Sequence, residues 1–250
     1  MDFSLIIPAY NEEKTIGKVL AVAAKTPEIK QIIVVNDGST DKTKEIVLKF
    51  KTKIKKEVQL LNFKKNRGKG FALWAGLKKA LYQQIIFSDA DFLNLEVKHL
   101  KKLIQPLKEG KTDLVMGTFK IKNKKITKLP KIFKKFLHWL EKNYTYSISG
   151  QRAGFKKDFM KIAHLKNAGY GVDLLITDWF LQKGKKIKKV CLNNIDHLSK
   201  AEKWGKNGPS SMKMLWDISQ TIKYLKAKPK LAFEGIKIPD KKWKKFISLH

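Results

Sequence analysis

Gln84-Ile85-Ile86-Phe87-Ser88-Asp89-Ala90-Asp91 is the stretch from which the rest of the chain is read. Its first half is a short apolar run of the kind that forms a buried strand. Its second half is polar and carries two carboxylates one residue apart. In an open α/β sheet, ligands bind at the carboxyl ends of the strands. Paired carboxylates there suit a divalent cation of the magnesium or manganese type, which takes hard oxygen ligands. Asp is also a common turn former, so the weight falls on the position after a strand rather than on the pair alone.

The same arrangement recurs on the N-terminal side. Phe3-Ser4-Leu5-Ile6-Ile7-Pro8 reads as a strand halted by a proline. Asn11 is placed to cap the helix that follows, with Glu12 and Glu13 in its first turn. Ile16, Val19, Leu20 and Ala23 then recur at helical spacing. Gln31-Ile32-Ile33-Val34-Val35 is a further strand and runs into Asn36-Asp37-Gly38-Ser39-Thr40-Asp41. Thr40 or Asp41 suits the cap of the next helix. The pattern predicts strands near 3–7, 31–35, 58–61, 84–88 and 112–116, and helices near 12–25, 41–53, 68–82 and 95–109. This β-α alternation implies a mostly parallel sheet flanked by helices.

Four segments carry a family resemblance: Leu5–Glu13, Val34–Asp41, Asn66-Arg67-Gly68-Lys69-Gly70 and Ser88–Asp91. In order and spacing they resemble the family 2 glycosyltransferases, over residues 3–118 and more weakly to about 200. Ser149–Ala153, Gly169–Asp173 and His197 are similar to a narrower branch that includes glucosyl-3-phosphoglycerate synthases. That branch commonly has Glu where this chain has Asp173. The resemblance implies a GT-A fold, a Rossmann-like α/β sheet, and transfer of a sugar from a nucleotide diphosphate sugar, with a UDP-sugar favoured.

The resemblance also implies roles. Pro8, Ala9, Tyr10, Asn11 and Glu12 would line the nucleotide, with Asp37 at the base or ribose. Asp91 leads as metal ligand, for Mg or Mn. Asp89 would meet the ribose or a metal-bound water, and His197 would complete the metal site. Asp173 is the candidate base or hydrogen-bond partner near the acceptor, with Asp178 second. Gly150, Gln151, Arg152 and Tyr170 would face the acceptor. Read from its own chemistry, Lys69 can carry a point charge to a diphosphate, and Gly68 and Gly70 let backbone approach a phosphate.

The 250 residues suffice for one α/β domain. We divide it into a nucleotide-sugar-binding half (1–118), an acceptor-binding half (119–227) and a basic tail (228–250). The single Cys191 excludes an intramolecular disulfide and reads as inert core. No apolar run is long enough to span a bilayer, and the N-terminus leads into a strand with no room for a signal peptide. These points favour a cytoplasmic protein. The net charge of +32 is nearly all lysine. Only two arginines occur, Arg67 and Arg152, both inside motif loops. Arg holds phosphate or carboxylate bidentately where Lys acts as a point charge, so Arg152 suits an anionic acceptor, such as a polyprenyl phosphate or a phosphorylated small acid.

The helix expected at 130–144 has an apolar face with Ile132, Phe133, Phe136, Leu137 and Leu140, flanked by lysines. It fits either an anionic membrane interface or packing on the core or a second subunit. Two other functions compete. A sugar-nucleotide-forming nucleotidyltransferase would need a Gly-rich, Arg-containing loop after the first strand. A nucleic-acid-binding protein would explain the lysines but not acidic strand ends, which repel phosphate.

Overall fold

The computed structural model of the chain describes residues 1–118 and 149–196. Within them the chain forms β1 (Phe3–Ala9), α1 (Ile16–Lys25), β2 (Ile29–Asp37), α2 (Thr43–Lys51), β3 (Glu57–Phe63), α3 (Lys69–Lys79), β4 (Gln84–Phe87), α4 (Val97–Lys108) and β5 (Leu114–Thr118). After the undescribed stretch come β6 (Arg152–Phe155), α5 (Val172–Gln182) and β7 (Ile187–Cys191). The expected helices at 130–144 and 209–226, the tail from 228 and His197 lie outside the described residues.

One seven-stranded sheet unites these elements in the order β3-β2-β1-β4-β6-β5-β7. All neighbours are parallel except those of β6, which runs antiparallel between β4 and β5. β1 and β2 are buried almost throughout, as expected of strands covered on both faces. Phe3, Leu5, Ile7 and Ala9 pack into one apolar cluster with α1 and α4. Ile6 joins the opposite cluster with α3 and α5. The β7 edge strand instead exposes Lys188 and Lys189, a charged edge that discourages further pairing.

The order reverses at β1. The chain builds β1, β2 and β3 to one side, then returns to place β4 on the other. Such a switch point opens a crevice at the strands' carboxyl ends. Ser88 N donates to Ile6 O (3.1 Å). Residue 8 faces the same neighbour as residue 6, and Pro8 has no N–H to continue the ladder. The β1–β4 pairing therefore stops where the polar loops begin.

Two boundaries differ from expectation. Helix α1 begins at Ile16 with Thr15 at its N-cap position, so Asn11 does not cap it. Asn11 adopts a left-handed backbone (φ 56), and residues 11–15 form a turn whose Glu12 carbonyl accepts from Thr15 N and Ile16 N. Cys191 is exposed on β7 rather than core, because β7 is an edge strand.

Candidate active site

The first two β-α loops are joined by side chains that bind backbone. Asn11 N donates to Ser39 Oγ (2.9 Å) and Asn11 Oδ1 accepts from Thr40 N (2.8 Å). Glu12 N donates to Thr43 Oγ1 (2.8 Å), Glu13 N to Asp41 Oδ2 (3.0 Å), and Lys42 N to Glu13 Oε2 (3.1 Å). Helix α2 has Lys42 at its N-cap position rather than Thr40 or Asp41; Asp41, one residue earlier, accepts from Thr43 N (3.0 Å) at the helix start. Glu12 is buried, and its carboxylate accepts from Thr15 Oγ1 (3.1 Å). Of the residues expected to line the nucleotide, Pro8 and Ala9 end β1, Tyr10 is half-buried beyond it, and Asn11 is tied to the second loop.

Asp37 ends β2 and is nearly fully buried. Its carboxylate accepts from Arg67 N (2.9 Å) and Gly68 N (2.7 Å). It thus fixes the loop entering α3, while a carboxylate's four lone-pair positions leave capacity for a ligand. Gly68 sits at φ 93, a conformation open to glycine. A Cβ at Gly70 would strike Leu165 O. The Cβ side of Gly70 is therefore filled by the 165–169 backbone, which gives this glycine a packing reason. Tyr170 lies in the adjoining turn, half-buried. Arg67 is exposed, with its guanidinium 3.6 Å from the Phe71 ring centroid.

The charged groups converge where β4, β6 and α5 meet. The antiparallel course of β6 brings its first residue, Arg152, opposite Phe87, the last residue of β4. Lys69, the first residue of α3, places Nζ 2.9 Å from Asp89 Oδ1 and 3.0 Å from Asp173 Oδ2. Arg152 Nε lies 3.5 Å from Asp173 Oδ1. Asp89, Lys69, Asp173 and Arg152 thus alternate in sign. A Cβ at Gly150 would collide with both Asp89 carboxylate oxygens and Lys69 Nζ, so this glycine makes room for the Lys69–Asp89 pair.

Electrostatics separates the two carboxyls. Burial would raise the Asp173 pKa, but Lys69 and Arg152 outweigh it and hold the group below its ordinary value. Burial also raises Asp89; Lys69 opposes this, while Asp91 and Asp173 add to it, and the net shift is upward. Burial alone would lower Lys69, yet Asp173 and Asp89 keep the ammonium charged well above its usual range. Burial lowers Arg152 against the pull of Asp173.

The expected acceptor contact of Arg152 does not fit this geometry. Arg152 is 1% exposed and lies on a strand rather than in a loop. Gln151 is wholly buried, with neither amide atom hydrogen-bonded. Asp178, the second candidate base, sits five residues beyond Asp173, about 140° around the helix. It accepts from Gln182 Nε2 (2.5 Å). Thr177, on the Asp173 side of α5, joins the cluster and was not anticipated; its i,i+4 spacing from Asp173 was the available signal.

Asp91 is half-buried in the loop after β4. Among the described residues no group of three His, Cys, Asp or Glu side chains is gathered as a metal cluster. Residues 193–196 are docked on the loop two and three residues beyond Asp91. Leu93 N donates to Asp196 O (2.9 Å), and Asp196 N donates to Asn94 Oδ1 (2.7 Å). His99, buried on α4, bonds Asn193 O through Nε2 (3.0 Å).

The chain is 34% identical over 196 residues to an uncharacterised protein of Methanocaldococcus jannaschii, covering 73% of this chain and 83% of that one. It is 35% identical over 145 residues to a dolichyl-phosphate beta-glucosyltransferase of Trichomonas vaginalis, covering 54% of this chain. The chain spans 44% of that enzyme's length. The solved glucosyl-3-phosphoglycerate synthase of Mycobacterium tuberculosis, in complex with Mn2+, UDP and glucosyl-3-phosphoglycerate, superposes with a TM-score of 0.70. That match covers 95% of this chain and 83% of the other at 22% identity, and it establishes the GT-A-type fold. The glycosyl transferase family 2 profile matches residues 4–166. The chain belongs to glycosyl transferase family 2, the glycosyltransferases that draw on nucleotide sugars.

Proposed function

We propose that the chain transfers a sugar from a UDP-sugar to an anionic acceptor, with a divalent cation held at Asp91. The observation that carries this reading is the Asp89–Lys69–Asp173 bridge at the switch point of the sheet. It sets a carboxylate at the end of β4 against a carboxylate at the start of α5 across one ammonium. Pro8, Ala9, Tyr10 and Asp37 border the crevice on the nucleotide side.

The donor set suits Mg or Mn. Asp91 offers a hard oxygen, Asp89 stands beside it, and the segment ending at Asp196 is hydrogen-bonded to Leu93. Asp91 would hold the cation, with His197 as the further ligand in this proposal. When bound, the cation neutralises charge on the departing nucleoside diphosphate. Lys69 adds a fixed positive charge nearby. In this proposal Asp173 takes the proton or hydrogen bond of an acceptor hydroxyl, a reading supported by Oδ1 being a buried acceptor with no hydrogen-bond partner.

The anionic acceptor is supported by the relatives' own names, which specify dolichyl phosphate in one case and glucosyl-3-phosphoglycerate in another. The charge of +32 favours such a partner. Among the described residues no helix is long and apolar enough to cross a membrane. Membrane contact through the 130–144 segment belongs to the lipid-phosphate form of this proposal.

The test is a thermal-shift panel of UDP, GDP and ADP sugars with Mn or Mg, followed by transfer assays with 3-phosphoglycerate and a polyprenyl phosphate. Stabilisation by a UDP-sugar that needs the cation is expected. A guanine or adenine donor, or stabilisation indifferent to chelation, would overturn the donor and metal assignments.

A further inference from the structure

We infer that Arg152 is a positioning residue for Asp173, acting together with the Thr177 hydroxyl, and is not a ligand of the acceptor. This rests on the proposed meeting of Asp173 with the acceptor hydroxyl.

Two of the three guanidinium nitrogens are engaged within the protein. Nη2 donates to Asp173 O (2.8 Å) and Nη1 to Thr177 Oγ1 (2.9 Å). Thr177 Oγ1 in turn donates to Asp173 O (2.9 Å). The first turn of α5 is thereby tied to β6 through one carbonyl that accepts two hydrogen bonds. The remaining guanidinium nitrogen, Nε, faces Asp173 Oδ1 at 3.5 Å. At that distance it attracts the carboxylate but does not hydrogen-bond it, and Oδ1 keeps its lone pairs. Lys69 anchors the other oxygen, Oδ2. The carboxylate is thus held at one oxygen and its backbone, with the second oxygen left to serve.

Bonding, more than burial, sets Arg152 apart from an acceptor ligand, since Asp173 is itself only 4% exposed. Arg152 is 1% exposed and Thr177 is 3% exposed. On the sheet, Arg152 is flanked by Phe87 and Met116. An acceptor phosphate would have to displace the hydrogen bonds that tie α5 to β6. The residue type agrees: this is one of two arginines among 54 basic residues. Only a planar fork addresses a carbonyl, a hydroxyl and a carboxylate from one side chain; an ammonium on a flexible stem does not.

A kinetic double-mutant cycle tests this, using UDP-glucose with MnCl2 as donor and 3-phosphoglycerate or detergent-solubilised farnesyl phosphate as acceptor. Arg152→Lys should lower kcat about 10²-fold, the cost of a displaced catalytic group, with acceptor KM within about threefold of wild type. In an Asp173→Asn background the same substitution should cost less than about threefold more, because the two residues act as a unit. Thr177→Val should repeat the pattern at about tenfold, and it carries the cycle if Arg152→Lys does not fold. An acceptor KM raised tenfold or more at near-normal kcat would overturn the proposal, as would losses that multiply in the double variant. Wild-type enzyme with no turnover on either acceptor would instead overturn the proposed function, and this inference with it.

Discussion

The loops that follow β1 and β2 and the cluster between β4, β6 and α5 are both made of polar residues, yet their hydrogen bonds go to different places. In the loops, Asn11, Glu13, Ser39, Asp41 and Thr43 each accept from a backbone N–H of the opposite loop or of their own. Those groups are satisfied, and the loops are locked to each other. In the cluster, side chains of opposite charge face one another, and buried polar atoms of Gln151, Arg152 and Asp173 stay unpaired. Unpaired buried polar atoms are costly, and this cluster gathers most of those among the described residues, Glu28 and Asp158 carrying one each elsewhere. In the proposed function the loops are a scaffold for the nucleotide's surroundings and the cluster carries the chemistry. Motif likeness marks both regions equally and does not separate them.

The largest effect belongs to the cluster's outer carboxylate. Asp91→Ala should cut transfer by at least about 10²–10³-fold, by removing charge stabilisation of the leaving diphosphate. It should also abolish the cation-dependent thermal shift given by the nucleotide. Unchanged turnover in saturating Mn2+ would remove Asp91 from the site.

Lys69→Met leaves the half-buried Asp89 and the buried Asp173 carboxylates without their shared cation. Breaking such a pair costs about 3–5 kcal/mol, read as a lower urea midpoint at neutral pH. A loss below about 1 kcal/mol would place Lys69 with exposed surface pairs instead.

Helix α5 supplies an internal control. Asp173 has two cations beside it and titrates low, whereas Asp178 has none and is pushed up to about 6 by burial. A carboxyl whose folded pKa lies above its unfolded value binds its proton more tightly when folded. Its stabilisation is complete below about pH 4 and is lost as pH rises through 6. Asp178→Asn should remove about 2–3 kcal/mol of pH-dependent stability between pH 4 and 7, at about 1.4 kcal/mol per pKa unit. Parallel wild-type and variant stability curves across that range would contradict the assignment.

Asn11→Ala should cost about 1–2 kcal/mol, from one lost hydrogen bond and a left-handed backbone without Asn. Asn11→Gly should recover part of this. Chemical denaturation separates the two. Equal losses would show that the backbone conformation contributes nothing.

How far these features were legible from sequence depended on what the residues report. Strands β1, β2 and β4 were readable because a covered parallel sheet demands unbroken apolar runs. Helices α1 to α4 were readable from periodic apolar faces. Strand β6 was not: Arg152-Ala153-Gly154-Phe155 has no β-like run, and its place comes from pairing with β4 and β5 on either side. Asn11 looked like a cap because cap and left-handed turn favour the same residue. Arg152 looked like an anion ligand because sequence gives its chemistry but not its burial. Asp89, Asp91, Lys69 and Asp173 could be named in advance. The bridge through Lys69 could not, since it joins residues 104 apart.

The most direct test of the account is calorimetric titration of UDP into the wild-type protein and Asp91→Asn, each with Mn2+ and with EDTA. The account predicts binding to the wild type that chelation abolishes, and weak, cation-indifferent binding to the variant. Equal affinity in all four titrations would show that the carboxylates after β4 do not form the donor site.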